Sequence, residues 1–217
     1  LTSLKSLSFH NSIVLSDISP LSGLTNLVSL DLYDNDISDI SALSELTNLT
    51  YLNLLDNFIT DISPLVGLVN LKYLNIRCNS LTDISALSEL TKIEELDISE
   101  NFQISDISAL SGMTSMKILL IHLNSFNDIS ALSNMIDLRK LTLHYAGISD
   151  ISPLSNMTKL EELYLPHNYV QDISPLSGLD SLSILELNEN DILDILPLVQ
   201  NTDFSSGDRV NLTGNPL

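Results

Sequence analysis

The triplet Asp-Ile-Ser, or a close variant of it, recurs with its Asp at positions 17, 39, 61, 83, 106, 128, 150, 172 and 194, in steps of 22 residues with a single step of 23. So strict a period excludes most ordinary globular folds. Each unit is one supersecondary piece that can bury its apolar side only against the units before and after it. Aligned, the units read L-x-x-L-x-L-x-x-N-x-I-x-D-I-S-P/A-L-x-x-L-T-x, as in LTYLNLLDNFITDISPLVGLVN from Leu49 to Asn70. Ten copies can be laid down, beginning at Leu4, Leu27, Leu49, Leu71, Ile93, Met116, Leu138, Leu160, Leu182 and, in a degenerate last unit, Gly207.

A Leu-rich strand pattern repeating every 20 to 29 residues, roughly, is the signature of a leucine-rich repeat solenoid. The expected fold is an α/β arc over residues 1–217, one domain with a concave parallel β-sheet and short 3₁₀ turns on the convex side. Each letter has a mechanical role. In the L-x-L segment alternate side chains face opposite ways, so Leu30 and Leu32 point inward while Ser29, Asp31 and Tyr33 point outward. The Asn turns inward where the backbone leaves the strand and satisfies backbone groups that would otherwise be buried unpaired. Ser-Pro before an apolar pair is a helix-start signal, with Ser19, Ser63, Ser152 and Ser174 as the expected caps. A carboxylate repeated in every unit is read as scaffold, partnered by backbone N–H groups, rather than as a calcium ladder.

Three irregularities stand out. The units from Leu4 and Ile93 each carry one extra residue between the Asn position and the Asp, read as a bulge in the loop. The tail, residues 196–217, is a stretched, more polar last repeat that still keeps Val210, Leu212, Asn215 and Leu217 on template, as the end of an open solenoid requires. No cap precedes Leu4, so the natural protein is expected to extend upstream. In LTLHYAGIS, finally, Ala146 stands where the ladder Asn belongs. Its neighbours His144 and Tyr145 point to selection at the outward face rather than decay.

With 28 acidic against 9 basic side chains, net −19, the chain is a poor match for nucleic acid or anionic lipid. No apolar run approaches the roughly 18 residues of a membrane span. The one cysteine, Cys78, excludes an internal disulfide framework and a Cys-based zinc site.

The run NDISDISALSELTNLTYLNLLDNFITDISPLVGL and its echoes across residues 4 to 200 closely resemble the internalin family of bacterial leucine-rich repeat proteins. That resemblance implies a secreted or wall-attached protein whose concave sheet grips a protein partner. Two features of the family, a helical cap before the repeats and an immunoglobulin-like segment after them, are not visible here. The repeat is also similar to the intracellular 22-residue-repeat regulators of a protein phosphatase, which would make the chain a cytoplasmic scaffold.

If the invariant letters are scaffold, function lies in the outward letters that vary. Two patches emerge from them. Tyr33, Tyr51 and Tyr73 lie on consecutive strands with Leu55 and Arg77 beside them and are expected to form one stripe. The second patch joins Ile118, Leu120, His122 and Leu123 to His144, Tyr145, Tyr164, Pro166 and His167. Between them runs an acidic strip, Glu94, Glu95, Asp97 and Glu100, that would select a basic feature in a partner. His122 and His144 share a column, but with only His167 and Glu162 nearby they fall short of a metal site, and a pH-sensitive contact is the better reading. No hydrolase elbow, phosphate loop, zinc-protease helix or dinucleotide fingerprint occurs, so neither enzyme chemistry nor a cofactor is expected. The expected function is protein recognition by a monomer on the concave face, with the cytoplasmic scaffold and a carbohydrate-binding adhesin as alternatives.

Overall fold

The computed structural model describes residues 2–10, 15–201, 204 and 206–217. Ten three-residue strands form one parallel sheet in chain order. They are β1 (Ser6–Ser8), β2 (Ser29–Asp31), β3 (Tyr51–Asn53), β4 (Tyr73–Asn75), β5 (Glu95–Asp97), β6 (Ile118–Leu120), β7 (Lys140–Thr142), β8 (Glu162–Tyr164), β9 (Ile184–Glu186) and β10 (Arg209–Asn211). Register follows the repeat: Ser29 lies opposite Tyr51, Tyr51 opposite Tyr73 and Tyr73 opposite Glu95. Between strands, the chain returns through 3₁₀ turns such as Ser63–Leu65. The last return, α1 (Leu196–Val199), is instead a single α-helical turn. The result is a leucine-rich repeat arc with the sheet on its concave side.

The strand leucines and the apolar residues of the turns form one continuous core, with Leu30, Leu32, Leu52 and Leu54 wholly buried. Its polar lining is the Asn ladder. Asn57 Nδ2 donates to Leu54 O at 3.1 Å and to Leu32 O of the preceding repeat at 3.0 Å, and its Oδ1 accepts the Ile37 N–H at 3.0 Å. The residue just before each Asn position takes a left-handed backbone: Asp34, Asp56, Cys78, Glu100, Leu123, Tyr145, His167 and Glu189 all have φ between 54° and 56°. A side chain there costs about 1–3 kcal/mol. The ladder amides hold that turn in place, and the turn fans these side chains onto the rim of the sheet.

On the convex side the capping expectation needs correcting. The serines Ser19, Ser63, Ser152 and Ser174 are the first residues of their turns, and none provides a side-chain cap. The cap oxygen comes from the Asp two residues earlier. Asp17 Oδ1 accepts the Ser19 N–H at 2.9 Å, Asp61 Oδ1 the Ser63 N–H at 2.7 Å, and Asp194 Oδ1 the Leu196 N–H at 2.8 Å. The same bond recurs at the other six repeat Asp residues: Asp39, Asp83, Asp106, Asp128, Asp150 and Asp172 each hold the N–H two residues on. An Asp side chain reaches this N–H because only one residue, an Ile in each case, separates the two; the scaffold reading of the carboxylates holds.

The extra residue in the loop after β5 has a definite local effect. Ile104 N–H turns to its own repeat's Asn101 O at 3.1 Å. Asn124 Oδ1, which by the repeat would accept that N–H, is therefore buried without a donor among the described residues. The matching insertion in the first repeat adjoins residues 11–14, which lie outside the described set.

At Ala146 the ladder is interrupted but not collapsed. Asn168 Oδ1 accepts both the Ala146 N–H, at 3.2 Å, and the Ile148 N–H, at 3.0 Å. Gly147 follows with φ 74°, a conformation that suits Gly. One amide thus serves two N–H groups across the gap.

Candidate functional site

The concave face is built from three outward positions per repeat, followed by the left-handed residue. Rings in the same position of adjacent repeats stack, because parallel register sets them one strand apart. Tyr51 and Tyr73 stack with centroids 4.4 Å apart and planes 9° apart. Burial, with Tyr73 and Asp31 beside it, pushes the Tyr51 hydroxyl up to about 12. Tyr33 does not join them. It lies at the strand exit rather than on the strand, and stacks on His10 at 4.6 Å. The expected stripe of three rings is therefore two separate pairs.

Arg77 spends its charge within the protein: Nε donates to Glu100 Oε1 at 2.9 Å. The Cys78 thiol donates to Glu100 Oε2 at 3.0 Å. Burial and this carboxylate push the thiol up to about 11, and the thiol's hydrogen bond, with Arg77, holds Glu100 below the usual carboxylate range.

The second patch is continuous. His122 and His144 stack at 3.9 Å, Tyr145 meets His144 edge-on at 6.1 Å, and Tyr145 stacks on His167 at 4.3 Å. His122 is more enclosed than an outward position suggests, with a side chain 13% exposed. Its Nδ1 lies 3.0 Å from Ser99 Oγ and 3.1 Å from Thr142 Oγ1. Tyr164 Oη donates to Glu162 Oε2 at 3.1 Å, and Lys140 Nζ, paired with Glu162 at 2.7 Å, stands 5.3 Å from the Tyr164 ring. Ile118 and Leu120 flank this group on β6, both half-buried and not packed among the leucines.

Four outward positions, Asn53, Ser99, Thr142 and Glu186, are nevertheless buried. Asn53 accepts the Leu55 N–H through Oδ1, Ser99 and Thr142 meet the His122 Nδ1 edge, and Glu186 pairs with Arg209 at 2.9 Å. Facing out is not the same as being reachable when side chains of the adjoining repeats close over the position.

The histidine pair makes stability depend on pH. Burial, then His122 and His167, push His144 from 6.5 down to about 4, and burial lowers His122 as well. A His depressed in the folded state is held neutral, while the unfolded chain takes up protons first. Its stabilisation is complete above pH 6.5 and is lost as pH falls towards about 4. Thermal melts across that window are expected to show a falling Tm that His144→Gln flattens; a parallel pH dependence in the variant would remove His144 as the cause.

The repeat pattern does not single out a second row of exposed rings. Phe58 and Phe102, each 61% exposed, and Tyr169, 63% exposed, occupy the position just after the Asn, on the loop edge beside the sheet. The signal lies in the sequence, three aromatics at one loop position, but that position carries no constraint from the core. Among the described residues, no group of three or more His, Cys, Asp or Glu side chains is placed to hold a metal ion, and no helix is long and apolar enough to cross a membrane.

Stacked strands, an inner amide ladder and 3₁₀ returns define a solenoid repeat protein. A family model for leucine-rich repeats, in two copies, matches residues 2–45, 25–67, 47–89 and 69–112. The chain is similar to the crystal structure of the internalin InlF from Listeria monocytogenes at 34% identity, with TM-score 0.80, covering 98% of this chain and 68% of that one. It is also similar to internalin C2 of the same species at 29% identity, with TM-score 0.68, covering 94% of this chain and 80% of that one. A third likeness is to the Arabidopsis receptor kinase HAESA at 27% identity, with TM-score 0.85, covering 98% of this chain and 38% of that one. A comparison with the curated proteins returns no match. The chain belongs to the leucine-rich repeat family and is internalin-like, of the 22-residue class.

Proposed function

We propose that the chain is a non-enzymatic recognition module of a bacterial surface or secreted protein, and that it binds a protein partner on its concave sheet. The observation that carries this reading is the concentration of stacked rings on the variable face: His10 with Tyr33, Tyr51 with Tyr73, His122 with His144, and Tyr145 with His167. Nothing in the scaffold requires them, since the core is closed by the leucines and the amide ladder beneath. Rings with few rotamers lose little entropy on contact and bury large areas, which makes them effective anchors. The sheet is open along its length and offers no enclosed pocket among the described residues that groups a nucleophile with a base, which disfavours catalysis. Similarity to InlF and internalin C2 supports a surface or secreted location, and the HAESA complex with a peptide hormone and a co-receptor supports a polypeptide ligand for a solenoid of this kind.

The test is truncation of half-buried anchors that support no other side chain in the core. Tyr164→Ala and Leu120→Ala are each expected to weaken partner binding by about 1 kcal/mol or more while the denaturation midpoint stays put. Unchanged affinity would retire the concave face as the binding surface, and an equal loss of stability would show that these side chains belong to the core.

A further inference from the structure

We propose that the middle of the sheet carries a socket for one basic side chain of a polypeptide partner, an Arg or Lys seated over Glu95 and Asp97 between Tyr73 and the Ile118–Leu120 pair; this rests on the recognition reading above.

The socket follows from register. On β5, Glu95 lies between Tyr73 and Ile118, and Asp97 lies between Asn75 and Leu120. Two carboxylates thus form the floor of a depression of about 140 Å³ whose walls are a ring on one side and two aliphatic side chains on the other. Sites for drug-sized ligands measure about 300–1,000 Å³, so this one takes a single side chain and little more.

Charge decides which side chain. Of the four acids in the central strip, Glu94 is paired with Lys72 at 3.2 Å and with Lys117, and Glu100 with Arg77. Neither Glu95 nor Asp97 is in an ion pair among the described residues; Asp97 Oδ1 accepts the Ser99 N–H at 3.0 Å, and the Ser99 hydroxyl and the more distant Arg77 charge are its other polar company. Burial raises the Asp97 carboxyl, so a cation that restores its lost solvation would be held there in preference to a neutral group. The walls suit the same ligand. Tyr73 has one ring face against Tyr51, which leaves the face on the β5 side for a cation, and Ile118 and Leu120 match the methylenes of a long basic side chain. A divalent ion is a poor fit, since two carboxylates fall short of the roughly six to eight oxygens that calcium takes. The net charge of −19 favours the approach of a basic partner as well.

The probe is N-acetyl-arginine amide, titrated into the full chain and followed by NMR, with the isosteric, uncharged N-acetyl-citrulline amide as control. Saturable shifts are expected at Tyr73, Asp97 and Leu120 with the arginine compound, and none with citrulline. The double variant Glu95→Gln, Asp97→Asn is expected to weaken the arginine response about tenfold or more. Should it fail to fold, Glu95→Gln alone, at an exposed side chain, makes the same comparison. Equal shifts with citrulline, shifts that survive the substitutions, or shifts with methyl glucoside where arginine gives none would each overturn the socket. A protein partner whose affinity falls with Tyr164→Ala but not with the Glu95 and Asp97 substitutions would remove the socket and leave concave recognition standing. Loss with neither set would remove both.

Discussion

Leu52→Ala is expected to cost about 2 to 5 kcal/mol of folding stability. Leu52 is wholly buried and lies in register between Leu30 of the strand before and Leu74 of the strand after. In a solenoid those neighbours are themselves pinned by their own neighbours, so the cavity left by truncation cannot collapse, which places the expected cost away from the low end of the range. Because stability in a stack is a sum of local terms, a weakened third repeat can also divide unfolding into two steps, visible as a reduced m-value in urea. A cost under about 1 kcal/mol would mean that Leu52 is not a core residue and that the inward phase of the strand is misassigned.

The second large effect is expected at Asn168, because of the gap beside it. At an ordinary rung the loss of one amide is shared. Ile76 O, for example, receives Asn79 Nδ2 at 3.1 Å as well as Asn101 Nδ2 at 3.0 Å, so Asn101→Ala orphans chiefly the Leu81 N–H. Asn168 has no such companion: Ala146 supplies no amide, and among the described residues Asn168 alone donates a side-chain amide to Leu143 O, at 3.0 Å, while accepting from both Ala146 and Ile148. With each buried orphan costing about 1–3 kcal/mol, Asn168→Ala is expected to cost about 3 kcal/mol or more and clearly exceed Asn101→Ala. Denaturant midpoints of the two variants, measured side by side, decide this. An equal or smaller cost at Asn168 would show that the gap had not shifted its load onto the next rung.

The scaffold was legible in the sequence because it is periodic. One Leu phase fixes which side chains enter the core, and an Asn at a constant offset fixes where the backbone turns, so Leu30, Leu32 and the ladder fall where the pattern puts them. The cap was misread from the Ser-Pro pairs because the turn begins one residue earlier than that signal suggests, at the Ser itself, leaving the Asp, not the Ser, in reach of the free N–H. The rings of the site were legible one by one, but not their grouping. Tyr51 opens β3 while Tyr33 lies two residues past the end of β2, so they hold different outward positions, and register joins Tyr33 to His10 instead. Which acids in the central strip are neutralised depends on how long side chains reach across strands, a matter of rotamers that no spacing encodes. Phe58, Phe102 and Tyr169 escape the pattern because a loop position that touches no core can hold any residue.

Those loop-edge aromatics supply an internal contrast for recognition by the sheet face. Hydroxyl-radical footprinting of the chain, free and bound to its protein partner, reports side-chain solvent access at both places at once. Protection is expected at Tyr51, Tyr145 and Tyr164 with Phe58, Phe102 and Tyr169 unchanged; protection confined to the loop-edge three would mean that the partner does not bind on the sheet face.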